Sequence, residues 1–189
     1  MNSQHEFVLR TVEERDIRFI RLWFTDILGA LKSVVMSPSE LESAFEEGVG
    51  FDGSSVEGFS RISEADTIAM PDPSTFQIMP FDKGEPELLS ARMFCDIAQP
   101  DGQPSMVDPR HILRRQVTEA ANEGFTCMAS PEVEFYLLED ARDINNLVAT
   151  DNGGYFDQAT HDNAPSFRRR SMYALESMGI CLLYTSPSP

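Results

Sequence analysis

Glu132 and Glu134 stand two residues apart in Ser-Pro-Glu-Val-Glu-Phe-Tyr-Leu-Leu, residues 130–138. In a strand, side chains alternate between faces, so this spacing predicts two carboxylates on one face. Val133, Phe135 and Leu137 fall on the other, with β-branched and aromatic types suited to a half-buried sheet. Two like charges on a buried face are costly unless something neutralises them. A hard divalent cation such as magnesium is the common remedy, because it takes carboxylate oxygens. The same residues equally fit a solvated outer face, since glutamates are mostly exposed. A second candidate is Phe51-Asp52-Gly53-Ser54-Ser55-Val56-Glu57-Gly58-Phe59. Its glycines allow close backbone approach to a ligand. Asp52, flanked by hydroxyls, can take a proton from a cation or can simply shape the loop as an Asx-turn.

Two other patterns carry less. Gly48-Val49-Gly50-Phe51-Asp52-Gly53 matches the letters of a dinucleotide-binding loop. That fingerprint must follow a strand and open a helix. Here the glycines follow a predicted helix, so no nicotinamide cofactor is expected. His5, His111 and His161 stand without a second ligand at helical or strand spacing.

The elements that must position these residues are legible in the pattern. Asp16–Phe24 and Ala30–Met36 are apolar-rich runs around Thr25-Asp26-Ile27-Leu28-Gly29, which fits a hairpin loop. Ser37-Pro38 predicts an N-cap and first helical residue for a helix to Gly48, with Leu41, Ala44 and Phe45 inward. Thr67–Met70, Phe76–Met79 and Leu88–Ile97 are predicted strands, and Gln99-Pro-Asp-Gly-Gln-Pro is a turn cluster and boundary. Asp108-Pro109 predicts a helix to Gly124 with the apolar stripe Ile112, Leu113, Val117 and Ala120. The Glu132/Glu134 strand follows, then a polar loop over 141–154, then a helix from Pro165 to Met178 stopped by Gly179. A strand-rich front followed by helix, strand, loop and helix predicts an α+β chain in two parts.

The 189 residues suffice for one sizeable core or two small ones. A net charge of -16 argues against nucleic acid as a partner, because phosphate backbones call for basic surfaces. Three cysteines, Cys95, Cys127 and Cys181, lack paired spacing and read as reduced thiols. The first residues lack a signal-peptide pattern and no apolar run reaches membrane-span length, so no membrane association is expected and the expected location is cytoplasmic.

Several motifs in order resemble a type I glutamine synthetase of the actinobacterial kind. They are Phe51-Asp52-Gly53-Ser54-Ser55 with Gly58-Phe59; Glu64-Ala65-Asp66 leading to Met70-Pro71-Asp72-Pro73; Arg92–Ile97; Asp108-Pro109-Arg110; Pro131-Glu132-Val133-Glu134-Phe135; and Gly153-Gly154-Tyr155-Phe156-Asp157. The resemblance implies an N-terminal extension over 1–15, a β-grasp domain over 16–101 and the start of the catalytic domain over 108–180. It implies ATP-dependent ligation of glutamate and ammonium through γ-glutamyl phosphate, in stacked homo-oligomeric rings whose active sites lie between subunits. Asp52 would capture ammonium and take its proton, Ser55 would support that loop, and Glu132 and Glu134 would each bind one of two Mg²⁺ or Mn²⁺ ions. After Ile180 the family pattern is lost, and 181–189 read as a foreign tail. The chain is therefore expected to be an incomplete, inactive part of an enzyme. Two alternatives stand beside this reading: a γ-glutamyl ligase for polyamines or other amines, and a non-catalytic β-grasp fragment that binds intact rings.

Overall fold

The computed structural model describes residues 3–57, 66–80, 88–140, 142–150 and 164–180. The motif residues Gly58-Phe59, Glu64-Ala65 and 153–157, and the tail 181–189, lie outside the described residues, as does the Ser55 side chain. The chain divides into two compact units, Met1–Cys127 and Met128–Pro189.

The first unit is built on alternation. In β1 (Phe19–Thr25), Ile20, Leu22 and Phe24 are buried while their neighbours are not, the signature of a strand with one core face. Asp26 closes the hairpin to β2 (Leu31–Met36): its Oδ1 accepts the N–H groups of Leu28 and Ala30, and Gly29 takes the positive φ that the turn requires. Ser37 then caps a short 3-10 turn, Pro38–Glu40, that runs into α2 (Leu41–Glu47). Leu41, Ala44 and Phe45 are buried, as their spacing predicts. Leu41 and Phe45 meet Val8 and Val12 of α1 (Ser3–Glu14) in one core with the inner face of the sheet.

The sheet order is β2-β1-β6-β4-β3, where β3 is Val49–Asp52, β4 Asp66–Pro71 and β6 Ser90–Ala98; β5 (Gln77–Ile78) also pairs with β6. β1 and β6 run parallel and the other pairs are antiparallel. β6 is thus the central strand, and its buried Ala91, Met93, Cys95 and Ile97 fill the middle of the core. Between β3 and β4 lies the single helical turn α3 (Ser54–Glu57), whose Val56 is buried.

After the turn over 99–104, α4 (Pro109–Asn122) begins under an Asp108 cap, and Gly124 ends the segment with a positive φ. Its predicted apolar stripe does not reach a core: α4 has no buried residue, and Leu113 is 64% exposed. The second unit contains α5 (Ala164–Ser177), with Gly179 at positive φ where the helix stops. No described helix is long and apolar enough to cross a membrane.

One sequence expectation is corrected here. Residues 125–137 form no strand. Glu132 and Glu134 are exposed, and so are Val133 (81%) and Tyr136 (89%) between and after them, so the two-faced alternation is not realised. The physical reason is that a strand needs a neighbour to bond its N–H and C=O groups. Among the described residues the pairing is confined to its far end, the isolated bridge Leu138↔Ala149, where Thr150 N–H donates to the Leu137 carbonyl at 3.0 Å and Glu139 N–H to the Val148 carbonyl at 2.9 Å.

Candidate functional site

Asp52 sits where β3 ends, opposite Asp66 in the antiparallel register with β4. Its position follows from two local constraints. Gly48 ends α2 with φ 74° and ψ -173°, a region open essentially to glycine, and turns the chain into β3. Val56, the buried residue of α3, then ties the loop down: its carbonyl accepts the Ile27 N–H at 3.2 Å, and its own N–H donates to the Gly53 carbonyl.

Within the loop, the Ser54 N–H donates to Asp52 Oδ1 at 2.9 Å, so Asp52 does form the Asx-turn that its sequence permits. The Ser54 side chain and backbone both bond the carboxylate and hold its pKa below the ordinary aspartate value, against a small opposing effect of burial. Asp52 is exposed and ionised, an anion on the end of an ordered strand. Ser55 shares the same helical turn through its backbone.

Glu132 and Glu134 belong to the second unit. Near them, Phe135 meets Phe167 of α5 edge-on, with ring centroids 5.8 Å apart. Carboxylate oxygens are the right donors for Mg²⁺ or Mn²⁺, but two carboxylates fall well short of a six-ligand shell. No group of three or more His, Cys, Asp or Glu that could hold a metal occurs among the described residues. These two residues alone do not make a metal centre.

A second polar constellation has no counterpart in the sequence reading. Asp108 is buried and spans two elements: Oδ2 accepts the Ile97 N–H of β6 at 3.0 Å, and Oδ1 accepts the Arg110 N–H at 3.0 Å, capping α4. Arg110 reaches back to the sheet, with Nη2 2.7 Å from Asp72 and Nε 3.2 Å from Asp96. Arg114 grips Asp96 with two bonds, at 2.9 and 3.0 Å. Burial opposes the charge on Asp72, but the Ser74 and Arg110 bonds outweigh it and keep the carboxyl below its usual range. Asp72, Asp108 and Arg110 lie in the motifs already quoted, yet nothing in the linear order shows that residues 38 apart would pair.

Comparison with known proteins places these features in a family. The family model described as "Glutamine synthetase, beta-Grasp domain" matches residues 16–100, and "Glutamine synthetase, catalytic domain" matches residues 106–186. The glutamine synthetase of Mycolicibacterium smegmatis is 60% identical over 186 residues, covering 98% of this chain and 42% of that protein. The glutamine synthetase of Methanosarcina mazei is 47% identical over 175 residues, 92% of this chain and 39% of its own length. A solved structure titled "GmaS/ADP complex-Conformation 1" shares the fold, with a TM-score of 0.63 at 20% identity over 90% of this chain and 38% of that one. The chain therefore spans about 42% of the length of the mycobacterial relative.

Proposed function

This chain belongs to the glutamine synthetase family, and from that premise we propose that it carries the ammonium-capturing part of a glutamate–ammonia ligase. The observation that carries the proposal is Asp52: an ordered, ionised carboxylate on the rim of the β-grasp sheet. Residues 16–101 are taken as the β-grasp domain and 108–180 as the opening part of the catalytic domain.

In the proposed reaction, ATP phosphorylates the side-chain carboxylate of glutamate, and ammonia then displaces phosphate from the acyl phosphate. Ammonium has no lone pair and cannot attack. Asp52 first attracts the cation and then takes its proton, freeing the lone pair that forms the C–N bond. Ser55, in α3, supports the loop. Glu132 and Glu134 would each give one carboxylate to a Mg²⁺ or Mn²⁺ ion, which supplies charge neutralisation at the phosphate oxygens when bound. The full protein would assemble as stacked rings in the cytoplasm, with Asp52 serving the site of a neighbouring subunit.

The test is Asp52→Asn in a full-length protein bearing this sequence. The amide keeps the loop's size but removes the charge and the proton acceptor. Ammonia-dependent glutamine formation should fall by about 10²–10⁴-fold. Ammonia-independent formation of the acyl phosphate, read as slow ADP release, should change little. Wild-type turnover with ammonium would return Asp52 to a loop-shaping role.

A further inference from the structure

We infer that Arg110 is a positioning residue for ammonium capture, fixing the Asp52-bearing sheet onto the first helix of the catalytic domain; this rests on the role proposed for Asp52. The hold on α4 is polar. With no buried residue, it gains little from apolar packing on the sheet. Its attachment is polar and concentrated in the first turn and a half. Asp108 takes the Ile97 N–H, Arg110 bridges Asp72 and Asp96, and Arg114 holds Asp96 in a two-bond fork. Arg110 is also stacked at 5.8 Å over Phe94 of β6. Its guanidinium plane suits this task, since it can bond two carboxylates in different directions at once.

The two carboxylates it joins lie on the strands that govern Asp52. Asp72 directly follows β4, and Asp96 pairs with Met70 of β4 from within β6. Asp52 is at the opposite end of β4, in register with Asp66. Five residue steps at about 3.4 Å make a lever of roughly 17 Å. A tilt of roughly 5° at the Arg110 end would move Asp52 by about 1.5 Å, and misplacements of that size are enough to slow a reaction about 100-fold. A joint of charged pairs around one arginine therefore sets where the amine-binding carboxylate is presented.

The experiment is Arg110→Met in the full-length protein, which keeps much of the side-chain bulk and removes both ion pairs. The expected result is a fall of about 10- to 100-fold in kcat/KM for ammonium. KM for ATP and glutamate, and ammonia-independent ADP release, should stay within about twofold of wild type. Unchanged kcat/KM for ammonium overturns the inference. So does a uniform fall in every activity, which would mean only a smaller folded fraction. Should Arg110→Met not fold, Asp72→Asn keeps the turn with Ser74 and weakens one arm of the joint; the same split is expected at smaller size, and its absence again overturns the inference. Asp52→Asn is measured alongside. If that variant retains full activity, the function assigned to Asp52 has failed; if it is inactive while Arg110→Met is normal, only the positioning role has failed.

Discussion

Replacing Gly48 by alanine should destabilise the first unit more than the same change at Gly29, Gly50, Gly102 or Gly124. Two effects combine. The backbone at Gly48, φ 74° and ψ -173°, lies where an L-residue is strained by about 1–3 kcal/mol. A Cβ there would also run into Ile68 Cγ2 and Met70 Sδ and lie 3.0 Å from the Ala69 carbonyl. The methionine sulfur can swing away, but the branched isoleucine is stiff and sits in β4, so the strand itself must yield. Overpacking of this kind adds about 1–3 kcal/mol, giving roughly 2–6 kcal/mol together. Gly50→Ala is the control: two residues on, in β3, it has no positive φ and nothing within 4 Å of the new Cβ. That change should be neutral or stabilise by up to about 1 kcal/mol. Urea unfolding reads the difference. The chain has one tryptophan, Trp23 in β1, so its fluorescence reports the first unit without interference from the second. A Gly48→Ala midpoint no lower than that of Gly50→Ala would refute the reasoning.

Acid should loosen the α4 joint through Asp72. Its carboxyl is held below the ordinary value of 3.8, so the stabilisation is fully present above that value and is lost as pH falls through the lower, folded pKa. In acid titrations followed by circular dichroism, Arg110→Met should flatten the stability curve below about pH 4, and an unchanged curve would contradict the pairing. The cysteines should also separate cleanly. Cys95 is buried and its thiol is pushed up to about 12 by desolvation, whereas Cys127 is exposed. Iodoacetamide on the native chain, mapped by mass spectrometry, should label Cys127 and spare Cys95 until the protein is unfolded.

What the sequence made legible was local. Asp26 and Gly29 specify the first hairpin, Ser37-Pro38 starts the 3-10 turn into α2, and Asp108-Pro109 starts α4; in each case the signal and its effect lie within a few residues. The Glu132/Glu134 stretch had the composition of a strand but no described neighbour to pair with, and alternation has no meaning without a ladder. The stripe Ile112, Leu113 and Val117 is similar: its periodicity predicts a helix correctly, yet all three side chains are exposed. Periodicity reports a face that could be buried, not what buries it. The Arg110 pairs were invisible for the complementary reason. Arg110 and Asp72 come together only because β4 and β6 are neighbours in the sheet, an outcome of the whole topology.

The Asx-turn at Asp52 does not compete with its proposed chemistry. A carboxylate has two oxygens and about four acceptor directions, and the Ser54 N–H occupies one of these through Oδ1. That bond fixes the side-chain rotamer, which is the preorganisation a cation site needs. The Ser54 side chain and this backbone bond together favour the charged form, and this has two opposed consequences. A carboxylate held ionised attracts ammonium more reliably across the pH range of an enzyme. It is also a weaker base, so it takes the proton of bound ammonium only transiently and uphill. The lone pair released in that transfer attacks the acyl carbon at once, and the nitrogen of the adduct, now far more acidic, gives up its next proton readily. Placement of Asp52 then matters more than its intrinsic basicity, and a joint that governs placement, such as Arg110, is where the chain's own geometry bears on the rate.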